Sequence, residues 1–506
     1  MKKLLLIGST VCTLLSTPVT ALLGAEIVQH KETNAQATAA RLSLQTFVER
    51  ALENHPAMGK LRETWREQRN LAMKTLAIQE LLLTASTGLT LTDPVYSGGA
   101  ISANQSTRWT MESGLTKTFP DLGGLTAGVS LGHGTTSTSD TDGSSTTVAT
   151  PWVGLSLSIP LIRNALGSAD RASLKKMQLG LSIIDRSEEE AVELLIQSLA
   201  QEYYAWALAS EKAAMYQGFF ERAGQYYNQV LRRANLGIAD QSDIMLARQN
   251  WLGYQSSLLS ANQTANELGL GILARIGVRP DGNTNIRFLH TPDTSLPALK
   301  PDALVLSVSK TGPTNSISGF RIVQIARLSL EQAREEAGIA RDAVLPDLTL
   351  SIKGTKTASD SSLDRAFSSM AGNTFFAGLV FSMPLQHSSD EYSAEAAKNA
   401  LARRTKEYES VVLDAGTALS RYRLAINTWR QLEKIAEDTS AAAAGRVAAV
   451  YTRYSQGRAT LNNLTDAQDA WARTKLQALE TRYTLRRLEL EFASLTDRLT
   501  RHVLPD

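Results

Sequence analysis

Cysteine is almost absent from this 506-residue chain, in which Cys12 is the one residue of its type. Cys12 follows Ser-Thr-Val, which does not resemble the motif of a lipidated cysteine, and it lies in a segment that we expect to be removed. The remaining chain therefore offers no thiol, disulfide or thioacylation site, which suits an oxidising compartment.

Proline is scarce as well. The chain has 14 prolines, and long stretches contain neither proline nor glycine. A sequence of this length could hold several ordinary domains, but the scarcity of both residues favours a few very long elements over many short ones.

The first residues have the composition of a secretory signal peptide. Lys2 and Lys3 precede an apolar run, and Val19 and Ala21 form a plausible cleavage site. We predict a signal peptide over residues 1–21, and cleavage as late as residue 25 also fits. A retained membrane anchor is the less favoured alternative, because the run is short and Ser, Thr and Pro interrupt it.

The chain that follows the predicted signal peptide has a net charge of about zero. Lys and Arg number 52, including Lys2 and Lys3, whereas Asp and Glu number 50. A near-neutral mature chain has no basic field for nucleic acid, so we expect no nucleic-acid partner. No later apolar run reaches about 18 residues, so a mature chain that enters a membrane must do so as a closed β-barrel.

Catalytic and metal-binding motifs are also missing. The chain contains neither a P-loop nor a G-x-S-x-G motif, and no two histidines have the i, i+4 spacing of a metal-binding helix. We therefore predict no enzyme activity, no cofactor and no metal site. The scattered histidines are His30, His55, His133, His290, His387 and His502.

The sequence contains two tandem copies of one element pattern. Each copy has a helix, β segments, a very long helix, a Gly turn and a returning helix, so the chain has an internal two-fold sequence repeat. The first repeat spans 42–277, with β segments 84–160, a long helix 162–236 and a helix 241–276. A connector spans 278–302. The second repeat spans 303–502, with a helix 318–343, β segments 347–385, a long helix 386–456 and a helix 460–501.

The β segments alternate apolar and small or polar residues. In "WVGLSLSIPL", Val153, Leu155 and Leu157 alternate with Gly and Ser, and "LPDLTLSIKGTK" repeats the pattern in the second half. A period of two with an apolar outer face and a polar inner face is typical of transmembrane barrel strands. Trp109 and Trp152, near strand ends, could belong to an interfacial aromatic girdle or to ordinary loop packing.

The two long helices are too long for a compact domain. About seventy residues at about 1.5 Å each predict a length on the order of 100 Å. Their apolar residues alternate spacings of three and four, the average that a coiled-coil seam requires, and many seam positions are Ala.

Each long helix ends at a Gly turn, and the two turns are nearly alike. "NLGIADQSDIMLARQNW" and "YSQGRATLNNLTDAQDAW" place Ala ten residues and Trp fourteen residues past Gly237 and Gly457. Gly adopts the left-handed conformation that ends a helix, so we predict two helical hairpins with these glycines at their tips.

These features together resemble the TolC family of outer membrane efflux proteins, the outer membrane factors. The resemblance rests on the order of the motifs, twice over, across nearly the whole mature chain. It implies an α+β membrane protein, in which a homotrimer shares a transmembrane β-barrel, with a few strands from each chain. The barrel continues into a long periplasmic α-helical coiled-coil barrel. The resemblance also implies outer membrane lipid around the barrel, a periplasmic adaptor protein as partner, and an inner membrane pump or ABC exporter.

The first repeat departs from the family pattern of two strands per half. It contains four candidate strands, with "FPDLGG" at Phe119 to Gly124 as an extra turn. Either the additional hairpin joins the barrel, or two strands form an outer flap.

Residues at the hairpin tips are the candidate functional sites that the resemblance implies. By position it assigns Asp243, Asn463 and Asp466 to a periplasmic aperture, with Tyr454 and Arg458 as contacts and Gly237 and Gly457 at tips that dock the adaptor. Arg458 lies one place before the expected arginine, and Asn463 is neutral where an acid is common. An Asp near a helix N-terminus is also favoured simply by the helix dipole.

The resemblance implies a passive exit duct of a tripartite efflux or type I secretion system. The alternative, from another class, is a non-conducting coiled-coil protein of the cell envelope that acts as a spacer or adhesin. A duct recognises its adaptor more than its cargo, so the sequence names no substrate.

Overall fold

A computed structural model describes residues 40–92, 96–97, 100–101, 105–139, 144–278, 290–295, 317–385 and 388–504. The predicted signal peptide, residues 1–21, and most of the predicted connector, residues 278–302, lie outside these ranges.

Nine α-helices occur in the described residues, in two similar series. The first contains α1 (Leu44–Asn54), α2 (Pro56–Met73), α3 (Ser168–Asn235) and α4 (Gln241–Arg275). The second contains α5 (Arg321–Ala343), α6 (Leu363–Ser368), α7 (Ser388–Ser455), α8 (Leu461–Leu495) and α9 (Leu499–Val503).

The two long helices have the same length, and so do the two returning helices. Helices α3 and α7 each contain 68 residues, and α4 and α8 each contain 35. Helix α3 starts at Ser168 rather than at the predicted residue 162, because Asn164 and Leu166 have φ angles of 56° and 53° that no α-helix accommodates. The Asn164 side chain instead caps α3, since its Oδ1 accepts from Ala169 N at 2.9 Å.

One six-stranded antiparallel sheet stands at the end of the helices. Its strands are β2 (Leu82–Thr92), β5 (Gln105–Phe119), β6 (Leu125–Ser139), β7 (Ser145–Pro160), β9 (Asp347–Thr357) and β10 (Gly372–Ser382). Their order across the sheet is β10-β9-β7-β6-β5-β2. Short strands complete the set: β1 (Ala40–Leu42), β3 (Tyr96–Ser97), β4 (Ala100–Ile101) and β8 (His290–Pro292).

The core lies where the two repeats meet, midway along the helices. Phe47, Tyr203, Ile426 and Phe492 are almost completely buried there, in one cluster. The Tyr203 hydroxyl donates to Leu42 O at 2.6 Å and so ties α3 to the start of the described chain. This cluster, which we call the hub, therefore joins helices from both repeats.

Within the described ranges, no helix combines the length and the apolar character that a crossing of the bilayer demands.

Candidate functional site

The two hairpin tips are the same turn built twice. Gly237 and Gly457 have φ angles of 73° and 74°. In each turn the residue after the Gly donates its N–H to a carbonyl five residues back: Ile238 to Arg233 at 2.9 Å and Arg458 to Arg453 at 2.8 Å. This bond pattern closes the helix end that a left-handed Gly terminates.

The returning helices start at equivalent caps with different chemistry. Asp240 accepts the N–H of Asp243 at 3.0 Å, and Thr460 accepts the N–H of Asn463 at 3.3 Å. Hydrogen bonds from Ser242 and from the backbone of Asp243 hold the pKa of Asp240 below its usual value. Asp243 and Asn463 thus occupy the same position in the first turn, where a negative side chain is favoured by the exposed N–H groups.

Tyr454 is the candidate site residue that lies between the two hairpins. Its side chain is 6% exposed and packs in a cluster with Val230, Leu461 and Leu464. The cation over its ring belongs to Arg233, with the guanidinium carbon 4.6 Å from the ring centroid. Arg233 Nη1 also donates to Tyr454 O at 3.1 Å, so one side chain of the first hairpin holds the second.

A second contact between the hairpins lies closer to the hub. The Tyr254 hydroxyl on α4 donates to Asp469 Oδ1 on α8 at 2.8 Å. Burial and then this hydrogen bond raise the pKa of the Tyr254 phenol far above its usual value, so the phenol remains a donor at physiological pH. The Tyr254 ring stacks on Phe219, which also meets Trp471 edge-on at 5.0 Å.

The remaining candidate residues lie at the surface of this single chain. Asn463, Asp466 and Arg458 are exposed, and Asp243 is half-buried. Asp466 corresponds in the repeat to Leu246, which packs against the Tyr454 cluster, so the acid is a feature of the second tip alone.

The outermost residues of the two tips also differ. The first tip carries Leu236 and Ile238, which are 73% and 63% exposed. The second tip carries Gln456 and Arg458 at the equivalent positions, and both are exposed. One tip therefore presents apolar surface and the other presents polar surface.

A cluster of three carboxylates lies at the hub around Arg321. Glu190, Glu193 and Asp497 place carboxylate oxygens within 4.8 Å of one another. Arg321 Nη1 lies 2.5 Å from Glu193 and 3.0 Å from Glu190, and the Arg321 N–H donates to Asp497 at 2.7 Å. Burial raises the pKa of Glu190 and of Asp497. Because the guanidinium supplies positive charge to all three acids, the cluster links α3, α5 and the segment between α8 and α9.

The sheet has one apolar face and one face of small and hydroxyl residues. Leu155, Leu131 and Leu379 are 62%, 51% and 63% exposed on the apolar face. Trp109 shares this face, whereas Trp152 lies on the opposite face over Gly132. Trp152 therefore does not belong to a girdle on the apolar face.

Sequence reasoning missed the residues that connect the hairpins. Arg233, Tyr254 and Asp469 contact partners more than two hundred residues away, so no local pattern identifies them. The one available signal is the duplication itself, which aligns the two tips and limits which residues can meet.

Comparison with known proteins supports the fold. Residues 321–496 match the model of a family described as outer membrane efflux protein. The structure is similar to the outer membrane protein VceC of Vibrio cholerae, with 15% identity over 91% of this chain and 96% of VceC and a TM-score of 0.64. It is also similar to the CmeC outer membrane channel of Campylobacter jejuni, with 15% identity over 94% of this chain and 90% of CmeC and a TM-score of 0.64.

The open state of the MtrE outer membrane channel of Neisseria gonorrhoeae is a further match, with 16% identity over 91% of this chain and 90% of MtrE and a TM-score of 0.61. No curated protein gives a significant sequence match. The resemblance to outer membrane efflux proteins is confirmed.

Proposed function

We propose, on the premise that the chain folds as outer membrane efflux channels do, that it is an exit duct in the outer membrane. Its helices extend into the periplasm, and solutes pass from an adaptor and pump through the duct to the exterior. The duplicated fold, with two hairpins of 68- and 35-residue helices beneath an amphipathic sheet, carries this proposal.

The proposed assembly is a homotrimer with a shared barrel and a shared helical tube. An apolar stripe on α7 supports it: Leu413, Leu424 and Ile435 recur every eleven residues and are 70%, 71% and 60% exposed in the single chain. A stripe of this kind on a long helix is covered when a neighbouring helix packs along it. The outer face of the sheet would contact outer membrane lipid.

The proposed gate lies at the periplasmic end, where the six tips of a trimer converge. Asp243, Asn463 and Asp466 would line this aperture, and a three-fold ring of Asp466 would favour cations over anions. Tyr454 and Arg458 would contact neighbouring hairpins, and Gly237 and Gly457 would stand at the tips that dock the adaptor.

Opening requires the two hairpins of each chain to separate. The Arg233–Tyr454 contact and the Tyr254–Asp469 hydrogen bond resist that separation, because both join the first hairpin to the second. An adaptor that holds the tips apart would offset these contacts. The energy source lies in the partner, since the proposed duct is passive.

Conductance across planar bilayers tests the proposal. The purified protein is expected to give small, rare openings, and Asp243→Ala with Asp466→Ala is expected to increase the conductance and weaken its cation preference. Glu53→Ala with Glu67→Ala is the matched control, because both acids are exposed on α1 and α2 away from the tips.

A coiled-coil spacer or adhesin, the less favoured function, predicts no conductance for any variant. Recovery of the mature chain from the soluble periplasm would also contradict an outer membrane duct.

A further inference from the structure

The hairpin of β5 and β6 lies in the middle of the sheet. Strand β5 pairs with all eleven residues of β2 on one side and with all fifteen residues of β6 on the other. Strand β6 in turn pairs with β7, from Thr126–Ser158 to Ser139–Ser145. The hairpin therefore separates β2 from β7, and it is not laid over the outside of either strand.

Both faces of the hairpin match the faces of the strands beside it. On the apolar face, Val129 lies opposite Leu155 and Leu131 lies opposite Val153. On the other face, Gly132 lies against Trp152, and an added Cβ would be 2.4 Å from the Trp152 ring. A hairpin laid over the outside of a barrel would not need its apolar residues on the same face as those of β7. A strand within the barrel wall does need this arrangement.

The turn of the hairpin is fixed to the base of α3. An added Cβ on Gly167, which has a φ of 71°, would lie 2.4 Å from Pro120 O. The Arg171 Nη1 also donates to Pro120 O, at 3.4 Å. The hairpin is thus anchored at the junction of the sheet with the helices.

The two edges of the sheet are suited to pair with other copies of this chain. Strands β2 and β10 each contain 11 residues, and both are exposed along nearly their whole length. They are the first and last of six alternating strands, so they run in opposite directions. A neighbour's β10 would therefore add antiparallel to β2 and continue the alternation without a break.

We infer that the membrane wall of this duct contains eighteen strands, six from each of three copies, with the β5–β6 hairpin inside the wall. This inference rests on the trimeric duct proposed above. At about 4.8 Å between strands and about 40° of tilt, eighteen strands enclose a barrel of roughly 35 Å between backbones, against roughly 24 Å for twelve.

In a barrel this wide, the narrowest point of the duct lies away from the membrane. The inner face of the hairpin and its neighbours consists largely of Gly, Ser and Thr, including Gly128, Ser130 and Ser156, so few side chains narrow the bore. The constriction that selects cargo by size is then the ring of hairpin tips. Any solute that passes the tips also fits through the barrel.

Counting strands by cryo-electron microscopy of the full-length mature protein in nanodiscs tests the inference directly. A trimeric wall of eighteen strands is the expected result. A conducting trimer with twelve wall strands and three hairpins outside would overturn the inference and leave the proposed duct intact. A monomer that does not conduct would overturn the proposed duct itself.

Arginine substitutions test the same point in cells. Leu131→Arg and Leu155→Arg place a charge on the apolar face of β6 and β7, and both are expected to reduce outer membrane trimer at least tenfold. Ser86→Arg is the control at the same depth, because Ser86 lies opposite Glu112 on the inner face and should assemble normally.

The two arginine variants together distinguish the eighteen-strand inference from the proposed duct. Normal assembly of Leu131→Arg, with loss of Leu155→Arg, places the hairpin outside the wall and overturns the eighteen-strand inference alone. Normal assembly of both variants contradicts a lipid-facing sheet and therefore the duct as well.

Discussion

At the scale of single residues, a few long-range polar contacts join distant parts of the helical region. Tyr254 reaches Asp469, Arg233 reaches Tyr454, and Arg321 gathers three acids at the hub. The sequence predicted Tyr454 as a tip residue but not its partner Arg233, since residues 221 positions apart share no local pattern. Hydrogen bonds that involve a charged group, as these do, are roughly twice as strong as neutral ones.

Replacing Tyr254 with Phe is expected to ease opening. The change removes the hydrogen bond to Asp469 but keeps the ring that stacks on Phe219. Loss of a hydrogen bond to a charged group costs about 1.5–3 kcal/mol, so we expect roughly a tenfold or larger increase in open probability in planar bilayers. Tyr392→Phe is the control, because Tyr392 is 76% exposed. Equal open probability in both variants would show that the bond does not hold the hairpins.

Replacing Asp497 with Asn is expected to stabilise the protein at pH 8. Burial raises the pKa of Asp497 in the folded state, so its charged form weakens the fold as the pH rises through that pKa. Asn keeps an oxygen for the Arg321 N–H and tolerates the φ of 55°. Thermal unfolding should show a higher Tm than wild type at pH 8, and the difference should vanish near pH 3.

Glu53→Gln, an exposed carboxyl, is the control for that experiment and should leave the Tm unchanged. A lower Tm for Asp497→Asn at pH 8 would instead show that attraction to Arg321 outweighs the cost of burial.

At the scale of elements, periodicity predicts most of the helices and strands because long elements repeat the same physical pattern many times. The predicted helix 241–276 corresponds to α4, Gln241–Arg275, and the long helix 386–456 to α7, Ser388–Ser455. The start of α3 was not predictable, since it depends on Asn164 capping α3 from a left-handed position. Strand order was not predictable either, because pairing with β7 depends on partners far along the chain.

Two glycines on one hairpin should respond oppositely to alanine. Gly237 has a φ of 73°, where an L-residue costs about 1–2 kcal/mol, so Gly237→Ala should lower the free energy of local opening at the tip by that amount. Gly253 lies inside α4 with no atom within 4 Å of an added Cβ, and Gly253→Ala should stabilise α4 by about 0.5–1 kcal/mol. Hydrogen exchange of α3 and α4 amides measures both effects. Equal protection in the two variants would contradict the left-handed role of Gly237.

At the scale of the whole molecule, a single chain leaves surfaces that ordinarily would be covered. The stripe of Leu413, Leu424 and Ile435 is exposed, and the sheet ends in two free edges within the described residues. The sequence suggested this incompleteness through helices too long for a compact domain. It could not decide whether the β5–β6 hairpin joins the sheet, because a hairpin within the sheet and an outer flap have the same alternation of residues.

Replacing Leu424 with Glu is expected to prevent trimer formation. Leu424 is 71% exposed in the middle of the stripe, and a charge there would be buried without a partner when a neighbouring helix packs against it. Gln68→Glu adds the same charge at an exposed polar position on α2, away from the stripe, and is the control. Mass photometry in detergent should show trimers for the control and monomers for Leu424→Glu. Trimers in both samples would mean that the stripe faces another surface.

The unlike tips have a consequence for any partner of such a ring. Three chains would present six tips in alternation. Three tips would be apolar, at Leu236 and Ile238, and three would be polar, at Gln456 and Arg458. A collar of six identical docking segments cannot make the same contacts at adjacent tips. The docking segments of such a partner would therefore bind in two alternating ways, one against an apolar tip and the next against a polar tip.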